Sequence, residues 1–243
     1  MTTLKITIAD IGADGWYNGP VDLANFDGNI EIDAGAGWCR FRSSVKAAGY
    51  IESVGSIYAA GDINSGDFIA SGGDIVSVGG IHSGDFIDSG DHIISGGYIK
   101  SGGYIDSGDF IDSGDYIDSV GYIKSGGYIF SRGYIKSGGD IDSVGFINSG
   151  SDIASGGFLK SGGYIDSGGD INSGGDIESV GYIFSVGYIF SGGGIESGGD
   201  IDSDGYIKSR GYIKSAGLVT CKKLRSGEVA SGELVETGAG QTK

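Results

Sequence analysis

A single proline, Pro20, stands in 243 residues beside 52 glycines, and glycine does not recur at every third position. Those two absences exclude a collagen-like triple helix, which needs both features. Cysteine is nearly as scarce. Cys39 and Cys221 lie toward opposite ends of the chain, too far apart in an extended fold to bridge, and read as small apolar fillers. Basic residues number 16 against 32 acidic ones, and the formal net charge of −16 favours solubility and opposes direct binding to nucleic acid or to an anionic membrane. No apolar run approaches membrane-spanning length, and Met1 to Asp10 lacks the apolar core of a signal peptide, so the expected location is the cytoplasm.

What the chain does have is a period. From Ile51 to Val219 an aliphatic residue occupies every sixth position, Ile throughout except Leu159 and Val219, which makes 29 hexads without an insertion. Val45 stands where the series would begin. Glycine-rich chains are often disordered because they have little to bury, but this column supplies a buriable group at fixed intervals. Repeated units that cannot cover their own apolar side stack into solenoids. The sequence therefore predicts an all-β, single-stranded parallel β-solenoid over 45–221, a β cap over 1–44, and a C-terminal cap with a mobile tail over 222–243. In the N-terminal segment Leu4, Ile6 and Ile8 alternate as on a strand, as do Ile30 and Ile32, and Trp38, Arg40 and Arg42 alternate with Cys39 and Phe41. Trp16, Tyr17 and Phe26 supply bulk to cover the end of the Ile column, and Pro20 to Phe26 reads as one short helical turn.

One hexad is Ser-Gly-Gly-Tyr-Ile-Lys, as in Ser95 to Lys100. Side chains alternate across a strand, so if Ile99 points inward, Tyr98 and Lys100 point outward and Ser101 points inward again. The Ser column runs from Ser53 to Ser215 and yields only to Ala59 and, at its end, Cys221, all small enough to bury. Of the two residues after each Ser, at least one is Gly, which predicts a tight corner needing one positive φ angle. Sorting the residue after each Ile with a period of 18 collects Tyr58, Val76, Ile94, Phe130 and Phe184 on one face with no lysine, while Lys100, Lys124, Lys136, Lys160, Lys208 and Lys214 fall on the other two. Three faces and about 18 residues per coil fit this sorting, while a period of 12 also separates five of those six lysines from most of the aspartates; with three hexads per coil, about ten coils at roughly 4.8 Å each would span on the order of 48 Å. From Val219 the aliphatic spacing drops to five, at Leu224, Val229 and Leu234, as a C-terminal cap would require. Lys222, Lys223 and Arg225 read as a solvated basic turn.

In period and coil geometry this sequence resembles the hexapeptide-repeat left-handed β-helix family, over about residues 45 to 221. The phase differs: that family places a small residue two positions before its aliphatic one, whereas the constant Ser here lies two positions after. Many family members are acyltransferases with a histidine base, so the resemblance draws attention to His82 and His92. Both stand in variable outward columns, and a series without insertions offers no loop to carry an active site, so no catalytic residue is assigned. Asp85, Asp88, Asp91, Asp106, Asp109, Asp112, Asp115 and Asp118 cluster in sequence; weak calcium binding is the one cofactor they allow, with surface charge as the plain reading.

The consecutive aromatics Tyr98, Tyr104, Phe110, Tyr116, Tyr122, Tyr128 and Tyr134 precede their isoleucines and should stack into ladders that shield the thin sheet or offer a binding strip. The expected function is a non-enzymatic structural or interaction protein, binding a protein partner or a second copy through a regular face, with the lysine-free face as the contact. The alternative is an acidic mimic of nucleic acid that inhibits a DNA-binding protein. Ice or polysaccharide binding fits these charged faces less well.

Overall fold

The computed structural model describes residues 1–33, 37–225 and, for the backbone, 228–236. The chain divides into two compact units, Met1–Tyr122 and Ile123–Lys243. Both are β-solenoids of parallel strands in which residue n pairs with residue n + 18, so a coil holds three hexads. In the first unit, Ile51–Ser53, Ile69–Ser71, Ile87–Ser89 and Ile105–Ser107 stack as the first face. Ser56–Ala59, Ile75–Ser77, Ile93–Ser95 and Ile111–Ser113 form the second. Val45–Ala47, Ile63–Ser65, Ile81–Ser83, Ile99–Ser101 and Ile117–Ser119 form the third. The second unit repeats the scheme, its faces starting at Ile123–Ser125, Ile129–Ser131 and Ile135–Ser137. The strand Tyr212–Cys221 runs on from the first face into the second, pairing with Ile195–Ser197 and with Ile201–Ser203.

Every Ile of the series is fully buried, and the Ser two places on is buried beside it. Size alone does not explain the Ser column. The Ser65 hydroxyl donates to the Gly49 carbonyl of the previous coil at 2.6 Å and lies 2.9 Å from the Phe68 carbonyl in its own corner. Ser95 repeats this toward Gly79 and Tyr98, and in the second unit Ser173 does so toward Gly157 and Asp176. These corner carbonyls already accept a backbone amide from an adjoining coil, Gly49 from Asp67 and Phe68 from Ile51, so the inward hydroxyl adds a second donor to each corner and finds acceptors for itself in the interior. Ser53, at the start of the series, is the exception, with no hydrogen-bond partner for its hydroxyl.

The corner does not use positive φ. Among the described glycines only Gly15 has it, at 79°, outside the repeat. The requirement is proximity to the coil below. A Cβ built on Gly108 would fall within contact distance of the Gly90 carbonyl oxygen, and one on Gly156 would meet that of Gly138. Where the first corner residue is Val, as at Val120 or Val180, its side chain points into solvent, 69% and 71% exposed, and the close approach passes to the following Gly. Stacked corners thus demand one missing side chain, and either place can supply it.

The N-terminal segment joins the stack. Thr2–Thr7 pairs with Gly28–Asp33, which pairs with Ile51–Ser53, and Ile6, Ile30 and Ile32 are buried. Ile8 breaks the expected alternation: it is 69% exposed and begins a 3-10 turn, Ile8–Asp10, closed by the Thr7 amide donating to Asp10 Oδ2 at 2.8 Å. The helical turn expected over Pro20 to Phe26 does not form. The Phe26 amide donates to the Lys46 carbonyl at 2.9 Å and the Lys46 amide to the Leu23 carbonyl at 2.8 Å, which draws this segment out along Val45–Ala47. Leu23 buries there, whereas Trp16, Tyr17 and Phe26 stay half-buried. Cys39 and Cys221 are both buried, and burial pushes the Cys39 thiol up to about 12. In the second unit, Glu228–Glu236 pairs with Tyr212–Cys221, setting Val229 against Ile213 and Leu234 against Val219. Five residues there oppose six, so the register shifts between these rungs. The tail Gly238 to Lys243 lies outside the described residues.

Candidate interaction faces

The outward residue after each Ile forms one column per face. In the first unit the second face carries Arg40, Tyr58, Val76, Ile94 and Asp112 side by side. Three of the expected contact residues, Tyr58, Val76 and Ile94, are therefore true neighbours. Tyr58 is already engaged: the ring of Trp16 meets it edge-on with centres 5.8 Å apart, and Arg42 lies 4.8 Å over Trp16. Expected to cover the end of the Ile column, Trp16 instead covers the start of this outward one. In the second unit the same face runs Phe130, Asn148, Asp166, Phe184, Asp202, so Phe130 and Phe184 are separated by two rungs.

The other columns differ in charge. In the first unit the first face runs Glu31, Glu52, Ala70, Asp88, Asp106, and Lys5 pairs with Glu31 at 3.4 Å. Its third face runs Lys46, Asn64, His82, Lys100, Asp118. In the second unit the first face mixes both signs, Lys124, Asp142, Lys160, Glu178, Glu196, Lys214, and Lys214 bonds to Glu196. Its third face runs Lys136, Ala154, Asn172, Phe190, Lys208, Arg225, with no acid.

The residues before each Ile sit at the corners, and the seven consecutive aromatics are dealt out over three of them. Tyr104 and Tyr122 belong to a ladder of five rings, Tyr50, Phe68, Phe86, Tyr104 and Tyr122, whose centres lie 4.8 to 4.9 Å apart with planes within 7°. Phe110 stacks on His92 at 3.9 Å, and Tyr98 on Tyr116 at 5.3 Å. In the second unit Tyr128 starts the ladder Tyr128, Phe146, Tyr164, Tyr182, while Tyr134 stands at another corner. Each ring face inside a ladder is taken by the next ring, so edges meet the solvent. That geometry suits shielding the corner hydrogen bonds better than stacking a sugar, which needs an open ring face. Gly80, beneath Tyr98, is buried, and a Cβ there would come within 2.7 Å of that ring.

Aspartates in the same column do something the sequence reading missed. Asp176 Oδ1 accepts the Gly194 amide at 2.6 Å, Asp140 Oδ1 the Phe158 amide at 3.0 Å, and Asp62 Oδ1 the Gly80 amide at 2.8 Å. Each carboxylate caps the amide 18 residues later. The signal was available, because Asp fills this column repeatedly while Glu never does, and only the shorter side chain reaches the next rung.

The acidic run Asp85 to Asp118 is dispersed in the same way. Asp88 and Asp106 are neighbours on the first face, Asp112 lies on the second and Asp118, beside Lys100, on the third; Asp85, Asp91, Asp109 and Asp115 occupy corners. Among the described residues no three His, Cys, Asp or Glu side chains come together as a metal cage. His82 lies half-buried between Asn64 and Lys100, and burial, then the Lys100 charge, holds its imidazole below the usual range. His92 Nδ1 lies 3.5 Å from Asp109 at a corner. No helix among the described residues is long and apolar enough to cross a membrane. Comparison of the chain with protein families, curated proteins and solved structures returns no match.

Proposed function

We propose that this chain is a non-enzymatic structural protein that assembles with further copies of itself through its flat sheet faces. The observation that carries this reading is the second-face column, which sets Val76 beside Ile94 in one unit and Phe130 and Phe184 in the other, with no lysine in either. All four side chains are half-buried and keep part of their apolar surface open on the sheet face, which is what an association face offers. Side chains on a rigid ladder are also ordered before contact, which lowers the entropy cost of docking. Light scattering across a wide concentration range tests it: the mean mass should rise with concentration, and a strict monomer throughout sinks the reading.

The column Glu31, Glu52, Asp88 and Asp106 favours a second reading, mimicry of nucleic acid. Its charges are sparse, one per rung of about 4.8 Å and interrupted at Ala70, against one per about 1.7 Å of a DNA duplex. Competition with DNA for a DNA-binding enzyme distinguishes the two.

A further inference from the structure

Within the unit Ile123–Lys243, two faces carry uncompensated charge of opposite sign, each centred on a phenylalanine. On the third face Lys208 Nζ lies 5.4 Å from the centre of the Phe190 ring and the Arg210 guanidinium 5.8 Å from it. No described carboxylate lies within ion-pair distance of Lys208 or Arg210. On the second face Asp166 and Asp202 occupy the rungs on either side of Phe184, and neither meets a cation. Burial against its neighbours raises the Asp166 carboxyl above its ordinary range, so a cation brought to it would relieve a real cost.

We propose that a second copy docks its third face on this second face, Phe190 against Phe184, with Lys208 and Arg210 reaching the flanking aspartates. The proposal rests on the self-assembly reading above and names the surfaces that perform it. Because aspartates lie on both sides of Phe184, Lys208 meets a carboxylate whichever way the second copy runs. The contact joins two different patches, so each docked copy keeps one unused patch and the pair keeps one of each kind. Such a heterologous contact builds rings or open arrays rather than closing as a two-fold dimer.

Salt dependence follows from two opposed effects. At about 0.01 M salt the screening length is about 30 Å and the like charge of whole copies repels; at about 0.15 M it is about 8 Å and the repulsion fades while close pairs survive; at about 1 M it is about 3 Å and the pairs weaken too. Association should therefore peak at intermediate salt.

The test is sedimentation of the full chain, of Lys208→Glu, and of the double variant Phe184→Ala with Asp202→Ala; all three side chains point outward, and the melting curve checks each fold. Each variant alone should associate at least about tenfold more weakly than the unsubstituted chain. Mixed, they should form 1:1 pairs and stop, because the intact second face of one meets the intact third face of the other. A mixture that stays monomeric, or variants that associate as strongly as the parent, overturns the face assignment while leaving self-assembly standing. A parent chain that is monomeric at every salt concentration overturns both.

Discussion

The Ser113 hydroxyl, fully buried, lies 2.8 Å from the carbonyl oxygen of Gly97, sixteen residues earlier and one coil below, and 3.0 Å from that of Tyr116. One proton is thus offered to two corner carbonyls, and it joins successive coils on the inner side as the strand ladder joins them at the surface. Ser113→Ala removes this donor from a site that tolerates the smaller side chain, as Ala59 shows elsewhere in the column. It should cost about 1 to 2 kcal/mol. Ser113→Val adds bulk as well and should cost about 1 to 3 kcal/mol more. Urea unfolding of the two variants measures both; an alanine variant as stable as the parent would show that the hydroxyl only fills space.

At the corner the ranking concerns position. Val120 is exposed, so Val120→Gly should lose about 0.4 to 1 kcal/mol, mainly by loosening the unfolded chain. A Cβ on Gly121 would sit 2.9 Å from the Gly103 carbonyl oxygen and 3.0 Å from its carbon, and backbone cannot swing aside as a side chain can. Gly121→Val should therefore cost several times as much as Val120→Gly. Thermal melts compare them, and equal melting temperatures would refute the close-approach account.

Asp176 holds the Gly194 amide, so Asp176→Ala should leave a part-buried donor without its acceptor and cost about 1 to 3 kcal/mol. Asp176→Asn keeps an oxygen at the same reach and should recover most of the loss. If Asn and Ala melt alike, charge and not the hydrogen bond is what matters at this position.

The ladder tyrosines predict an alkaline limit. Burial first, then nearby Asp88 and Asp106, raises Tyr104 and Tyr122 above the ordinary phenol value of 10.0; burial and Asp166 raise Tyr182. A raised phenol binds its proton more tightly folded than unfolded, so its contribution is intact below the ordinary value and is lost as pH rises through the raised one. Melting temperatures should hold to about pH 9.5 and fall beyond it. Tyr104→Phe with Tyr122→Phe should flatten that fall; an unchanged slope would place its cause elsewhere.

Periodicity made the architecture legible because a constant Ile is a statement about the interior, and the period of 18 was recoverable from where lysine is missing. The roles of the small residues went unread, although the Asp-for-Glu preference before Ile pointed to one of them. Gly108 is required by a carbonyl 18 residues away, Ser113 by one 16 residues away and Asp176 by an amide 18 residues on, and all three reasons lie between coils. Local turn rules, applied to Ser-Gly-Gly alone, therefore supplied a positive φ that the corner does not have. The aromatics misled in the same way: Tyr98 and Tyr104 are consecutive in the repeat yet stand at different corners. Pro20 to Phe26 carried a helical start signal, and pairing with Lys46 outweighed it.

Because each hexad offers the interior the same Ile and the same Ser, the inside cannot distinguish one coil from the next, and a chain threaded six residues out of step would fill both columns. What counts the coils lies outside: Gly80 makes room for Tyr98, Asp62 awaits the Gly80 amide, and Trp16 meets Tyr58 where the repeat begins. Folding should thus be nucleated at the irregular N-terminal strands, with later coils laid down on a template whose step is already fixed. It also means that length can change by whole coils and not by hexads. Deleting Ile69 to Phe86 should leave a chain that refolds to one state. Deleting Ile69 to Asp74 should give mixed threadings, seen as several populations in amide hydrogen exchange, and a single population there would show that the surface keeps no count.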